Sequence, residues 1–359
     1  MTARAEAAVV LAASPPPVRV HDVALLDLDG VVYVGPDAVP GAAEAIAQAA
    51  RLGLRSAYVT NNASRPPAAV AAHLRELGVP AETGDVVTSA QLAAGILAGR
   101  LPAGSAVLVV GGEGLEVALE AEGLRPVHRL DDVGTDPLDQ VRAVVQGFAP
   151  TVGWADLAEG ARAVRSGLPW VATNLDLTVP TPHGPAPGNG ALVDAVAAAA
   201  GRRPDEIAGK PEPRAFSGAA RRAGSERPLV VGDRLDTDLE GARASGIPGL
   251  LVLTGITGVT ELLATPPRTR PDLVGRDLGA LLTDHPEATA GPDGTGRCGR
   301  AVVAVEGGAV VVREAGSDPV DLLRAACAAV WSAPPGPAPD PEPVVEAVRR
   351  LDPEAGWAR

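Results

Sequence analysis

The stretch VALLDLDG, residues 23–30, joins an uninterrupted apolar run to two carboxylates and a glycine. Four apolar residues directly before Asp27 indicate a strand that is buried on both faces, as in a parallel sheet covered by helices. Asp27 and Asp29 are two positions apart, so in an extended strand their side chains point the same way. Because ligands of open parallel sheets bind beyond the carboxyl ends of the strands, a binding site is expected here.

The same pattern recurs along most of the chain as short apolar runs that alternate with alanine-rich helical stretches. The predicted strands are 23–29, 55–62, 106–112, 143–147, 170–174, 228–233 and 249–255. Strand–helix alternation of this kind is typical of a parallel sheet with helices on both faces, and it predicts an α/β fold. The segment GGEGLEV, 111–117, lacks the GxGxxG spacing of a dinucleotide loop, so we interpret it as a strand–turn–helix connection.

Length and composition limit the function classes. A chain of 359 residues is expected to form two domains, and its net charge of −13 argues against a nucleic-acid-binding face. Cys298 and Cys327 have no partner motif nearby, which argues against a disulfide framework and indicates a cytoplasmic location. No apolar run reaches the length of a membrane span, and residues 1–19 are interpreted as a disordered leader.

The two carboxylates at the first strand end predict a metal site. They would repel each other unless a cation lies between them, and Mg²⁺ prefers such oxygen ligands. The alternative is a solvated loop that simply follows a strand. A calcium loop of the EF-hand type is excluded because Val31 and Tyr33 occupy the positions where further acidic ligands would stand.

Other polar residues follow other predicted strands. Thr60 ends one strand, Asp233 ends another, and Asp238 follows where a helix should begin, a place where acids are also common for electrostatic reasons alone. Lys210, in the segment GKPEP, is the only lysine of the chain. It is either an incidental loop residue or a compact cation that the wider, planar guanidinium of arginine could not replace.

Taken together, these groups describe the chemistry of phosphoryl transfer. A carboxylate attacks phosphorus, Mg²⁺ and the lysine stabilise the phosphoryl charge, and a second carboxylic acid protonates the leaving oxygen. The segments DLDGVVYVG, VTNNASRP, GKPEP and GDRLDTDLEGA resemble, in this order, the four motifs of the haloacid dehalogenase superfamily. The resemblance covers residues 20–284 and is closest to the type IIA phosphatases, among them phosphoglycolate, glycerol-3-phosphate, pyridoxal-phosphate and nitrophenyl phosphatases.

The resemblance implies a role for each motif residue. Asp27 would be the nucleophile, and Asp29 would act as general acid and then as general base. Thr60 and the backbone of Asn61 would contact the phosphate, and Lys210 would join the nucleophile and the phosphate. The implied metal-binding residues for Mg²⁺ are Asp27, Asp29 through its carbonyl oxygen, Asp233 and, in support, Asp238.

The resemblance also implies a domain plan: a Rossmann-like parallel-sheet core at 20–85 and 188–284, and an inserted α/β cap at 86–187. Residues 285–297 are interpreted as a linker. The C-terminal extension, 298–359, has no recognisable chemistry, although AVVAVEGGAVVV predicts a hairpin that turns at Gly307–Gly308.

The expected partner is a small phosphorylated metabolite, and neither nucleic acid nor a membrane is expected as a partner. A homodimer is one assembly that the sequence allows. Glycerol 3-phosphate is favoured, and 2-phosphoglycolate and pyridoxal phosphate are the alternatives. Cap arginines such as Arg125, Arg129 or Arg162 could attract the dianion, and Asn174 and Asp176 are expected near the cleft. A hypothesis of another class, a non-catalytic binding or regulatory module on the same scaffold, is less favoured because every motif residue needed for turnover is present.

Overall fold

A computed structural model of the chain describes residues 7–133, 137–179, 181, 184–334 and 338–358. The chain forms two compact units, of which the first contains residues 1–56 and 225–359 and the second contains residues 57–224. Both units contain parallel strands with helices packed against them, so the predicted α/β class is confirmed. In the part of the chain that is described, no helix is long and apolar enough to cross a membrane.

The first unit contains four parallel strands that hydrogen-bond in the order β16, β15, β14, β2. Their apolar residues are almost completely buried, which explains why the runs are continuous rather than alternating. Numbered along the chain, they are β2 (Val23–Leu26), β14 (Pro228–Gly232), β15 (Gly249–Val252) and β16 (Leu273–Gly275). Leu26 lies opposite Val231, so Asp27 and the end of β14 reach the same edge of the sheet.

The remaining elements of the first unit surround these strands. The helices are α1 (Pro17–Val20), α2 (Ala42–Arg51), α10 (Glu240–Ala244), α11 (Val259–Leu263), α12 (Pro319–Ser332) and α13 (Glu342–Leu351). A π-helical turn, Leu235–Leu239, leads into α10, and 3-10 turns occupy Pro267–Thr269 and Leu278–Leu282. The short strands β3 (Tyr33–Val34) and β4 (Asp37–Ala38) form a hairpin directly after the Asp27 loop.

A second, antiparallel sheet of the first unit is built mainly by the C-terminal extension. Its strands, in spatial order, are β1 (Ala8–Leu11), β17 (Ala288–Ala290), β18 (Thr295–Cys298), β19 (Ala301–Glu306) and β20 (Ala309–Glu314). The predicted hairpin is confirmed: Gly307 and Gly308 both have positive φ, as a two-residue turn between β19 and β20 requires.

This sheet differs from the expectation at two places. Residues 1–19 were expected to be a disordered leader, but β1 within them pairs with β17; residues 1–6 lie outside the described part of the chain. Residues 285–297 were expected to be a linker, but they contain β17 and most of β18. The physical reason is that each strand is stabilised by a partner far away in the sequence, which local composition does not reveal.

Helix α12 joins the two sheets of the first unit into one hydrophobic core. It contacts β17, β18 and β19 on the side of the extension and also contacts α11, α13 and β16. Its leucines and alanines belong to the same apolar cluster as Leu251 of β15 and Val274 of β16. The extension therefore shares its core with the parallel strands.

The second unit contains a five-stranded parallel sheet with the order β13, β10, β9, β7, β8. These strands are β7 (Ala106–Val110), β8 (Arg125–Val127), β9 (Val141–Gln146), β10 (Trp170–Ala172) and β13 (Glu206–Ile207). Separately, β5 (Arg55–Thr60) pairs in parallel with β6 (Val86–Thr88), and β11 (Thr178–Val179) pairs with β12 (Ala186–Pro187). Strand β13 pairs with β10 although it follows residue 187, the predicted end of the cap.

Helices cover the sheet of the second unit. They are α3 (Pro67–Glu76), α4 (Ser89–Ala98), α5 (Glu113–Ala121), α6 (Pro137–Gln140), α7 (Trp154–Arg165), α8 (Asn189–Ala200) and α9 (Pro213–Arg222), with 3-10 turns at Thr83–Asp85 and Leu130–Val133. The segment GGEGLEV turns from β7 into α5, so the strand–turn–helix interpretation is confirmed. The predicted boundaries between core and cap stay predictions.

Candidate active site

Three of the predicted carboxylates meet at the edge of the sheet in the first unit. Each of Asp27, Asp233 and Asp238 offers one carboxylate oxygen, and these atoms lie within 4.8 Å of one another. All three side chains are buried, with relative exposures of 6%, 1% and 0%. Asp29 lies just beyond, in a bridge with Tyr33, half-buried, and its carboxylate is not part of this trio.

Asp27 and Asp233 reach the site because each directly follows a strand of the sheet. The backbone N–H of Asp27 donates to Val231 O at 2.9 Å, which continues the β2–β14 ladder up to the site. The carboxylate of Asp233 is oriented by the loop after β15, where the N–H of Ile256 donates to Oδ2 at 2.7 Å. The N–H of Thr257 donates to the carbonyl oxygen of Asp233 at 3.3 Å.

Two glycines leave the space that the Asp233 carboxylate occupies. A Cβ added at Gly255 would lie 1.9 Å from Asp233 Oδ2, and one at Gly30 would lie 2.6 Å from the same atom. Gly30 also has a φ of +86°, which side-chain-bearing residues rarely adopt. The glycine after DLD and the glycine after β15 are therefore both required for the close approach of backbone and carboxylate.

Asp238 is placed by the π-helical turn Leu235–Leu239. Its Oδ2 accepts a hydrogen bond from the N–H of Arg234 at 3.2 Å, so it caps the turn from within. The alternative that Asp238 is an acid of ordinary helix-end type is incompatible with its complete burial beside two other carboxylates.

The donor set of the trio fits a hard divalent cation. Three buried carboxylates so close together repel one another, and a cation that accepts oxygen ligands removes this cost. Mg²⁺ and Ca²⁺ bind carboxylate oxygens at about 2.0–2.6 Å, which suits a single ion between atoms at this spacing. Nitrogen or sulfur ligands, which zinc would favour, are absent from the cluster among the described residues.

The other predicted residues form a cluster of their own in the second unit. The Asn61 side chain forms hydrogen bonds with both polar backbone groups of Lys210, the N–H and the carbonyl. Asn61 Oδ1 accepts from the Lys210 N–H at 2.9 Å, and Asn61 Nδ2 donates to the Lys210 carbonyl at 3.1 Å. Lys210 is only 3% exposed, and its ammonium lies 6.0 Å from the centre of the Phe216 ring. The only lysine of the chain is therefore a fixed, buried residue rather than an incidental loop residue.

Asn61 is itself fixed by neighbours from two other segments. Its carbonyl oxygen accepts hydrogen bonds from Ser89 Oγ at 2.6 Å and from Asn174 Nδ2 at 2.7 Å. Its side-chain Nδ2 also donates to Asp176 Oδ2 at 3.1 Å. Asn174 and Asp176 were expected near the cleft, and they lie beside the motif residue Asn61. Ser89 was missed, although its position at the start of a helix directly after strand β6 follows the same strand-end rule that identified Thr60.

Thr60 ends β5 and is buried, and its hydroxyl accepts a hydrogen bond from the N–H of Asn62 at 3.0 Å. This bond turns the chain immediately after the strand. Of the cap arginines considered for substrate attraction, Arg129 is paired with Asp156 at 3.2 Å, and Arg162 lies 3.7 Å from Glu159. Both are thus partly neutralised by acids of their own unit.

Comparison with known proteins agrees with this chemistry. Residues 24–125 match the family described as haloacid dehalogenase-like hydrolase, and residues 207–281 match a second hydrolase family of the same kind. A D-glycerol 3-phosphate phosphatase of Mycobacterium tuberculosis is 45% identical over 321 residues, which is 87% of this chain and 86% of that protein. The chain belongs to the haloacid dehalogenase-like hydrolases.

Solved structures of this family have a similar fold over most of the chain. The crystal structure of the M. tuberculosis glycerol phosphate phosphatase in complex with magnesium superimposes with a TM-score of 0.80 at 41% identity, covering 94% of this chain and 99% of that one. The 4-nitrophenylphosphatase of Thermotoga maritima gives a TM-score of 0.66 at 31% identity, covering 74% of this chain and 97% of that one. The predicted resemblance to the nitrophenyl-phosphatase-like branch is confirmed. Residues 298–352 of the extension match a GCN5-related N-acetyltransferase-like domain.

Proposed function

We propose that this hydrolase is a Mg²⁺-dependent phosphatase that cleaves glycerol 3-phosphate through an aspartyl-phosphate intermediate. The observation that carries the proposal is the buried trio of Asp27, Asp233 and Asp238, whose oxygens suit one divalent cation. The 45% identical relative, a D-glycerol 3-phosphate phosphatase, supports the substrate. The magnesium complex of a glycerol phosphate phosphatase supports the metal.

In the proposed reaction, a carboxylate oxygen of Asp27 attacks phosphorus, and the bond from phosphorus to the glycerol oxygen breaks. Asp29 donates its proton to the departing oxygen, so glycerol leaves as a neutral alcohol. Asp29, now ionised, then takes a proton from a water molecule that attacks the same phosphorus atom. The bond from Asp27 to phosphorus breaks, and inorganic phosphate is released with both aspartates in their starting states.

Bound at the trio, Mg²⁺ would supply a positive charge that stabilises the phosphoryl oxygens and the ionised Asp27. Lys210 would contribute a second positive charge, and its burial keeps that charge from being screened by solvent. Thr60 and the backbone of Asn61 would provide hydrogen bonds to the remaining phosphoryl oxygens. A cytoplasmic location and a homodimer stay predictions from the sequence.

The test is Mg²⁺-dependent phosphate release from glycerol 3-phosphate, 2-phosphoglycolate, pyridoxal phosphate and nitrophenyl phosphate. Glycerol 3-phosphate should have the highest kcat/KM, and Asp27→Asn should lower kcat by about 10⁴-fold or more because the nucleophile is lost. Lys210→Arg should lower kcat by about 10²-fold or more, because a planar guanidinium cannot replace a compact buried charge.

Asp37→Asn, at an exposed position of β4, is the matched control and should retain full activity. A higher kcat/KM for another ester would overturn the substrate. Near-normal activity of Asp27→Asn would overturn the aspartyl-phosphate mechanism. Absence of phosphate release from all four esters would favour the alternative hypothesis of a binding module.

A further inference from the structure

The C-terminal extension contacts the helix that follows the loop orienting Asp233, a carboxylate of the proposed metal site. Residues 254–258 form most of the connection from β15 to the short helix α11. This loop supplies the two N–H groups, of Ile256 and Thr257, that hold Asp233. Helix α11 begins at Val259, two residues after the second of these donors. Only a few backbone bonds therefore separate α11 from the groups that hold Asp233.

The extension holds α11 at both of its ends. At the first turn, the N–H of Val259 donates to the carbonyl oxygen of Trp357 at 3.3 Å. At the last turn, the carbonyl oxygen of Leu262 accepts a hydrogen bond from the indole Nε1–H of Trp331 at 3.2 Å. Both tryptophans are buried, so these hydrogen bonds are shielded from competing water.

The apolar side of α11 depends on the extension as well. Val259, Leu262 and Leu263 are buried in the cluster that contains the buried apolar side chains of α12 and α13. Polar contacts continue this attachment beyond α11: Arg270 stacks on the Trp331 ring at 4.9 Å, and Arg276 pairs with Asp352 at 2.7 Å. A helix of five residues is too short to be stable alone, so its position is set by what packs on it.

We propose that the C-terminal extension is a positioning element for the metal site, acting through α11 and loop 254–258 on the Asp233 carboxylate. Trp331 and the backbone of Trp357 are the positioning residues, and neither belongs to the trio that would bind the metal. This inference rests on the proposed function, because it assigns Asp233 as a metal ligand. It gives the extension a role in this enzyme that does not require any acetyltransferase activity of its own.

Two variants each remove one of these hydrogen bonds. Val259→Pro removes the donor to Trp357, and proline is tolerated at the first helical position. The preceding residue, Gly258, is already extended, with φ −105° and ψ −170°, as a residue before proline should be. Trp331→Phe removes the indole donor but keeps an aromatic ring beside Arg270. Trp154→Phe, at a tryptophan that is 84% exposed in the second unit, is the matched control.

The first readout is the dissociation constant for Mg²⁺, measured by calorimetry without substrate. Val259→Pro and Trp331→Phe, the two α11 variants, should each bind Mg²⁺ about 10-fold more weakly than the wild type. A loss of this size is expected when a group that supports a metal ligand is removed. The second readout is hydrogen exchange of the Ile256 and Thr257 amides in the metal-free protein, which should become faster. At saturating Mg²⁺, kcat should return to near the wild-type value, because the ligands themselves are intact.

The outcomes separate this inference from the proposed function. If the wild type binds Mg²⁺ and both α11 variants bind it as tightly, with unchanged exchange in the loop, the positioning role is overturned and the proposed function stands. If the wild type binds no Mg²⁺, the proposed function and the inference both fail. A loss of thermal stability with unchanged Mg²⁺ affinity also overturns the inference, because it identifies the extension as structural support only. If Val259→Pro does not fold, Trp331→Phe alone decides between these outcomes.

Discussion

Asn61→Ala is the sharpest test of the Lys210 cluster. The substitution removes one side chain that accepts from the Lys210 N–H, donates to the Lys210 carbonyl and donates to Asp176. It leaves the Asn61 carbonyl and its two donors in place, because those bonds involve only the backbone of residue 61. The perturbation is therefore confined to the attachment of Lys210 and to one contact with Asp176.

The expected loss of stability follows from these bonds. Lys210 is buried, so its N–H and C=O groups have little access to water once Asn61 is truncated. Each of these two backbone groups costs about 1–3 kcal/mol when it is left without a partner. Water that enters the space left by the Asn61 amide recovers part of this cost. The unfolding free energy should therefore fall by about 2–4 kcal/mol. Displacement of the Lys210 ammonium should also lower kcat for glycerol 3-phosphate by about 10–100-fold.

The assay is urea unfolding followed by circular dichroism, together with phosphatase kinetics on the same preparations. Asn62→Ala is the matched control, because within the described residues the Asn62 side chain bonds to Ser64 alone. Asn62 Oδ1 accepts from the Ser64 N–H at 2.9 Å and from the Ser64 hydroxyl at 2.7 Å. A stability loss below about 0.5 kcal/mol for Asn61→Ala, the size of an ordinary surface change, would refute the reasoning. A loss no greater than that of Asn62→Ala would also refute it.

Three further predictions concern the first unit. Gly255→Ala places a Cβ 1.9 Å from Asp233 Oδ2, so the dissociation constant for Mg²⁺ measured by calorimetry should rise by about 10-fold or more. Gly95→Ala is the control: a Cβ there meets open space, and this variant should bind Mg²⁺ as the wild type does. Burial raises the pKa of Cys298 to about 12, and Cys327 is also buried. Ellman's reagent should therefore react with no thiol in the folded protein and with two thiols in guanidinium. A thiol that reacts before unfolding would contradict this. Burial lowers the pKa of His285 below its ordinary 6.5, so the unfolded chain takes up the proton first and stability falls as the pH drops below that value. His285→Gln should flatten this slope in urea titrations between about pH 7.5 and 5, and an unchanged slope would exclude His285 as its source.

Much of the metal cluster could be predicted because it obeys a local rule. Asp27 and Asp233 directly follow apolar strands, and parallel strands bring their carboxyl ends to one edge of the sheet. Asp238 was predicted at a helix start and lies in a π-helical turn, which places it in the same cluster. The loop that holds Asp233 could not be predicted, because backbone N–H donors carry no signature in the side-chain sequence.

The attachment of Lys210 shows the opposite limit. Composition drew attention to Lys210 because it is the only lysine of the chain. Its partner Asn61 lies 149 positions earlier, and a contact between residues so far apart is fixed by the tertiary fold alone. The same limit applies to β1 and β17, because each is only three or four residues long and their pairing depends on sheet formation across almost the whole chain. Short strands with distant partners are therefore where the expectation of a leader and a linker differed from the structure.

The division of the chain into units has a consequence for its synthesis on the ribosome. The second unit is continuous, so it can begin to fold as soon as residue 224 has emerged, whereas the first unit is assembled from two separate segments. Strand β1 can pair only after β17 has been made, roughly 280 residues later. At a synthesis rate of about 5–20 residues per second, this delay is roughly 14–60 s. For most of that interval the apolar strand β2 has been translated, but β14, which pairs with it, has not. Chaperone dependence of the nascent chain should therefore be greatest for its first 56 residues and should end only when the extension has been made.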